Sequence, residues 1–161
     1  MSVIIDFEGF LLNQHHFIVK EFAFYNLTTN ERMCYFFQSP KLYLNESQTR
    51  VVNWLTKNIH GIEWNYGSTE FDYIYKIIHR ITRIANTVIY VKGEDKKRYI
   101  TELCGNKKKV VNLETIGCPK FEHLYYPQNL CGLPRHIETN HCALKKVVAL
   151  ATWYRYATHQ G

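Results

Sequence analysis

The order of hydrophobic periodicities constrains this chain most: three strand-like segments follow one another in its first quarter, and the remainder alternates between helical and strand spacing. Val3 to Phe10 has period two, so Val3, Ile5 and Phe7 take one face while Ile4, Asp6, Glu8 and Phe10 take the other. A polar break at Asn13–His16 leads into a second strand, Phe17–Tyr25, and Thr28-Thr29-Asn30 turns the chain into a third, Arg32–Gln38. Ser39-Pro40 ends this meander. Asn45, with Gln48 three residues later, predicts the cap of a helix carrying Val51, Val52, Trp54 and Leu55. A second helix is expected from near Ser68, with Phe71, Ile74, Tyr75, Ile78 and Ile81 as its apolar stripe.

Thr87–Val91 reads as a buried fourth strand, Glu94–Leu103 as a short basic helix and Val110–Leu113 as a fifth strand. An irregular segment, Gly117–Asn140, precedes a final helix from His141 onward that buries Ala143, Val147, Leu150, Ala151 and Tyr154. Such an order packs as an α/β fold, a mixed five-stranded sheet flanked by helices. At 161 residues, 46% of them apolar, one core and one domain spanning 1–161 are expected. No apolar run is long enough to cross a membrane and no leader pattern is present, so an intracellular protein of cytoplasm or nucleus is expected.

Five cysteines, an odd number, make a poor disulfide framework. Cys118, Cys131 and Cys142 crowd together with His123, His136 and His141 in the last third. The set Cys118, Cys131, His136 and Cys142 matches the Cys₃His chemistry of structural zinc, with His123 and His141 as substitutes, and would staple the irregular segment to the last helix. The net charge of +6 and the pI near 9.0 fit an anionic partner.

Two local motifs, Asp6-Phe7-Glu8 and His141-Cys142-Ala143-Leu144-Lys145-Lys146, together with the element order, resemble the DEDDh exonucleases of the ribonuclease H-like superfamily. There the first strand carries Asp-x-Glu and the last helix His-x-Ala-Leu-x-Asp. The resemblance covers essentially the whole chain through element order. It implies Asp6, Glu8 and His141 as the catalytic remnant of a site in which four carboxylates clamp two divalent ions, Mg²⁺ or Mn²⁺. The departures are large: the middle acidic position falls in Val91–Arg98, where the best register offers Lys97 or Arg98, and the terminal Asp is Lys146. Glu94 and Asp95 sit about one helical turn too early to substitute. Lys146 is expected to neutralise Asp6 and Glu8 and to repel an incoming metal ion.

A ribonuclease H-like domain with lost carboxylates and a Cys/His zinc site also resembles the Maelstrom domain of the animal piRNA pathway. That family's ligand set is Glu-Cys-His-Cys; Cys131, His136 and Cys142 match its latter part, and Cys118 stands in the Glu position. The resemblance implies binding of single-stranded RNA, with protein partners in an RNA pathway. In the topology it implies, Lys92, Lys96, Lys97, Arg98, Lys107, Lys108, Lys109, Lys145 and Lys146 lie near one edge and form one surface tracking phosphates of single-stranded RNA or DNA, with Tyr125 and Tyr126 as stacking platforms. The leading expectation is a catalytically degenerate nucleic-acid-binding domain. Its alternatives are an active metal-dependent nuclease with a non-standard third carboxylate, and a protein-interaction scaffold.

Overall fold

The computed structural model describes residues 1–13, 16–125, 133 and 141–159. Its sheet is built from β1 (Ser2–Asn13), β2 (His16–Asn26), β3 (Arg32–Phe36), β4 (Val88–Val91) and β5 (Lys109–Asn112), in the order β3-β2-β1-β4-β5. β1, β2 and β3 pair antiparallel as the predicted meander, while β1–β4 and β4–β5 are parallel. Four helices, α1 (Glu46–Leu55), α2 (Tyr73–Arg83), α3 (Glu94–Leu103) and α4 (Ala143–His159), flank it.

The alternation in β1 sorts the core. Val3, Ile5 and Phe7 join Ile74, Ile77, Ile78 and Ile81 of α2 and Ile100 of α3 on one face. On the other, Ile4 meets Ala143, Val147, Leu150 and Ala151 of α4. Asp6 and Glu8 therefore look toward α4 from within a strand that is buried on both sides.

Asn45 and Gln48 form the predicted capping box: Gln48 N–H donates to Asn45 Oδ1 at 2.8 Å and Asn45 N–H to Gln48 Oε1 at 3.0 Å. α2 begins at Tyr73 and not near Ser68, because Thr69 bridges Phe37 and its carbonyl accepts from Gln38 N–H, extending the sheet past the end of β3. α4 begins at Ala143, two residues beyond the predicted start, where Glu21 Oε1 accepts the Ala143 N–H at 2.7 Å.

A bulge sits beside the carboxylates. Glu8 pairs with Glu21 but Gly9 with Val19, so Lys20 is an extra residue on β2. A Cβ at position 9 would run into the Ile18 carbonyl, which is why glycine stands there. Lys20 is wholly buried, and its ammonium donates to the carbonyls of Phe37 (2.7 Å), Trp64 (2.9 Å) and Tyr66 (2.6 Å) and to Ser39 Oγ (2.9 Å). Among the described residues no helix is long and apolar enough to cross a membrane.

Candidate functional site

Asp6 and Glu8 lie on the α4-facing side of β1, near the middle of the strand. The parallel strand β4 ends close by and delivers the chain through Gly93 (φ 112°) into α3, which starts with its amide end toward this edge. Asn112, at the end of β5, fixes the turn: its Oδ1 accepts from Gly93 N–H at 2.9 Å and its Nδ2 donates to Glu94 Oε1 at 2.9 Å. Crevices at the C-terminal ends of parallel strands are where α/β folds hold ligands.

Each carboxylate is met by an ammonium. Lys96, in the first turn of α3, pairs with Asp6 Oδ1, and Lys146, in the first turn of α4, reaches Glu8 Oε1 at 2.7 Å. Lys96, not Lys97 or Arg98, is the α3 cation that meets Asp6; Arg98 instead makes an exposed pair with Asp95 at 3.1 Å. The shift of register from expectation is geometric: a side chain in the first turn of α3 is the one that looks back over the strand ends. Asp6 is wholly inaccessible, and its Oδ2 is buried without a hydrogen-bond partner among the described residues.

The pairs shift their own protonation. Burial pushes the Asp6 carboxyl above its ordinary value, against the pull of Lys96 and Lys146. For Lys146, burial works to lower the pKa, but Asp6, Glu8 and Glu21 outweigh it and hold the ammonium above its ordinary value. His141 feels the same cluster from two residues before α4: burial and then Lys146 lower its pKa, against Glu8 and Asp6. Asp6 and Glu8 thus both act electrostatically on His141.

Two aromatic rings complete the site. Lys96 Nζ lies 5.3 Å from the Phe7 ring centre, and the Phe121 ring lies under both Lys146 Nζ (4.6 Å) and Lys92 Nζ (5.1 Å). Lys92 in turn pairs with Glu114 at 3.0 Å.

Directly across the β1–β2 ladder from Glu8 is Glu21, which the sequence reading passed over. It is wholly buried, and its Oε2 faces the thiols of Cys34 (3.5 Å) and Cys142 (3.6 Å) while Oε1 caps α4. The signal was present in sequence: a Lys-Glu pair in the middle of the otherwise apolar Phe17–Tyr25. Of the expected zinc ligands, Cys131 and His136 lie outside the described residues. Cys142 is buried beside Glu21, whereas Cys118 packs with Ile4 and Leu113, its thiol near the Pro119 carbonyl at 3.6 Å and its pKa pushed up to about 11 by burial. Among the described residues no group of three or more His, Cys, Asp or Glu side chains is arranged to hold a metal ion.

The nine basic residues do not form the single expected surface. Lys92, Lys145 and Lys146 are buried, and Lys96 is engaged with Asp6. Lys107, Lys108 and Lys109 lie at the opposite end of the sheet, where Lys109 pairs with Val88 at the start of β4. Lys97 and Arg98 follow Lys96 on α3, and Arg98 is exposed. Tyr125 is largely exposed and Tyr126 lies outside the described residues.

Solved structures share this arrangement of strands and helices. Exonuclease I of E. coli in a zinc-bound complex with single-stranded DNA matches with a TM-score of 0.62 at 14% identity, over 99% of this chain and 40% of that one. The fold is the ribonuclease H-like fold of the DEDDh exonucleases. The same enzyme with an oligo(dA) strand gives a TM-score of 0.61 at 15% identity over 98% of this chain and 40% of that one. Exonuclease I from Methylocaldum szegediense gives 0.57 at 17% identity, covering 98% of this chain and 40% of that one. The chain thus spans about 40% of the length of the exonuclease I chains it matches. No protein-family model and no curated protein sequence matches it.

Proposed function

We propose that this domain is an exonuclease-like fold that binds single-stranded nucleic acid without cutting it by the two-metal route. One observation carries the reading: each carboxylate of the Asp-x-Glu pair already holds a lysine ammonium, Lys96 on Asp6 and Lys146 on Glu8. Mg²⁺ or Mn²⁺ does not fit this donor set. Two carboxylates with two ammoniums sum to no net charge, and an entering dication would meet fixed like charge a few ångströms away. No hydrolytic step is therefore routed through such ions. The exonuclease I structures with single-stranded DNA support a single strand as the ligand class, and the resemblance to the Maelstrom domain favours RNA and an RNA pathway with its protein partners.

The test is degradation of a labelled oligonucleotide in Mg²⁺ or Mn²⁺, with binding measured in parallel. Wild type should bind the strand and leave it intact, while the double variant Lys96→Asp/Lys146→Asp should take up Mn²⁺ that wild type does not. Rapid degradation by wild type, abolished by Asp6→Asn, would reverse the reading and establish an active nuclease. Neither binding nor degradation would leave the protein-interaction scaffold.

Zinc belongs to the same proposal, with one change from the sequence reading. Glu21, buried against Cys142, replaces Cys118 as the fourth ligand beside Cys131, His136 and Cys142, which brings the set to Glu-Cys-His-Cys. A carboxylate and a thiol converging in a buried place at the start of α4 suit a borderline-soft ion that closes a loop onto a helix. About one equivalent of zinc should copurify. Glu21→Gln and Cys142→Ser should both lose it, whereas Cys118→Ser should keep it; the opposite pattern would return the ligand role to Cys118.

A further inference from the structure

The sequence reading placed its phosphate contacts around the carboxylates, yet the exposed cations of the described structure gather elsewhere. The outer face of α2 carries Lys76, His79, Arg80 and Arg83, at spacings of three and four that align them along one side. The described helix contains no acidic residue, while its other face, Ile74, Ile77, Ile78 and Ile81, is buried in the core. Lys108 Nζ donates to the carbonyl of Ile84, just past the end of α2, at 2.9 Å. That bond pins the Lys107–Lys109 turn against the end of the helix, so the two groups of cations become one surface. Ser2 and Lys109 both pair with Val88, so this surface is level with the start of β1, and Asp6 lies four residues further on, about 13 Å along the strand.

Part of the pattern has a local cause. Cations in the last turn of a helix are favoured by its dipole, which accounts for Arg80, Arg83 and the Lys108 contact. It does not account for Lys76 further up the helix, or for Lys107 and Lys109, which make no ion pair among the described residues. The arginine and lysine are also partly ordered in advance: Arg80 donates to the Tyr73 hydroxyl at 3.1 Å and lies 5.7 Å from its ring centre, and Lys76 lies 5.8 Å from the same centre. Holding long side chains in place lowers the entropy lost when a ligand engages them. The carboxylates nearest in sequence, Glu70 and Asp72, precede the first turn, and Glu102 acts on Tyr99 of α3.

We propose that the outer face of α2 and the Lys107–Lys109 turn form a second nucleic-acid surface that takes the phosphodiester backbone without reading its bases. The chemistry favours this ligand. The face is positively charged, its cations span about 10 Å along the helix, and it offers backbone contacts at several successive phosphates. A ligand lying here runs outside the carboxylate crevice, so it is held whether or not an end enters that crevice. The proposal rests on the nucleic-acid-binding reading above and assigns it a different place on the molecule.

The experiment measures fluorescence anisotropy of labelled oligo(U) and oligo(A) at several salt concentrations. It compares wild type, Lys76→Glu/Arg80→Glu/Arg83→Glu, Lys107→Glu/Lys109→Glu and the crevice-side pair Lys97→Glu/Arg98→Glu, with circular dichroism to verify folding. The α2 variant should bind about tenfold more weakly, with a log–log salt slope flatter by about two, and equally for both oligonucleotides. The turn variant, which leaves α2 packing untouched, should lose about threefold and stands in if the α2 variant misfolds. Wild-type affinity in both variants, with a loss only in Lys97→Glu/Arg98→Glu, would overturn the second surface and keep single-strand binding at the crevice. A loss confined to one oligonucleotide would overturn base-independent contact. No binding by wild type at low salt would remove the parent reading itself.

Discussion

At one end of the parallel strands, cations and carboxylates pair off inside the fold; at the other, along α2 and the Lys107–Lys109 turn, cations face solvent and none pairs with a carboxylate among the described residues. The difference lies in burial. Asp6 sits on a strand covered on both sides, so its charge must be compensated internally, and Lys96 and Lys146 are drawn in to do it. The α2 cations are solvated and compensate nothing, which leaves them available to a polyanion. A cation's worth to folding and its availability for binding therefore run in opposite directions across the molecule.

The largest expected effect breaks the buried end. Lys146→Met removes the ammonium paired with Glu8 and the positive charge that Asp6 and Glu21 also feel, leaving Glu8 against an apolar side chain. A loss of about 3–5 kcal/mol is expected, read from urea unfolding. A loss under about 1 kcal/mol would mean that the carboxylates are solvated and the two ends are alike.

Lys20 sharpens the comparison, because it is as buried as Lys146 but holds only carbonyls and a hydroxyl. Lys20→Met should cost about 2 kcal/mol by leaving those acceptors unpaired, less than Lys146→Met because no buried charge is stranded. It should also loosen the 37–39 and 64–66 segments that the ammonium ties to β2, raising their amide exchange. Equal costs for the two substitutions would show that charge compensation adds nothing.

Much of this was legible in sequence and some was not, for identifiable reasons. The period-two pattern of β1 assigned Asp6 and Glu8 to one face, and the turn residues around Asn30 and Pro40 marked the meander, because both signals are local. The start of α2 was missed because a strand-like bridge at Thr69 depends on Phe37, thirty-two residues away. The choice of Lys96 over Lys97 and Arg98 turned on a single residue of helix register, which element boundaries read from sequence do not resolve. The Lys20-Glu21 pair marks an unusual place in an apolar strand, but Glu21's partners come from β1, β3 and α4 and emerge only with the sheet. The basic residues were grouped by type and position in the fold's expected outline, whereas the fold buries three of them and sends three to the far end.

The two buried lysines should also respond oppositely to alkali. Lys146 has a folded pKa above its ordinary 10.5, so its contribution is complete below pH 10.5 and is lost as pH rises through the folded value. Burial pulls Lys20 down to about 8, so between pH 8 and its unfolded value of 10.5 the folded state binds fewer protons and its term favours folding as pH rises. Subtracting unfolding curves of Lys20→Met and Lys146→Met from wild type should give a difference that rises between pH 8 and 10.5 for Lys20 and one that falls above pH 10.5 for Lys146. Parallel slopes would contradict the distinction between a lysine among carboxylates and one among carbonyls.

The smallest effect tests the exposed end. Lys107 and Lys109 face solvent, so deleting their charges removes no contact on which folding depends. It does relieve repulsion among Lys107, Lys108, Lys109 and Arg83, which crowd the end of α2 in a protein of net charge +6. Lys107→Gln/Lys109→Gln should therefore leave stability within about 0.5 kcal/mol and shift it upward at low salt. Screening shortens the reach of that repulsion to about 3 Å in 1 M salt, so the gain should vanish there. Unfolding free energies at low and high salt measure it. A destabilisation that survives high salt would mean these lysines have partners within the fold, and the far end would then resemble the buried one.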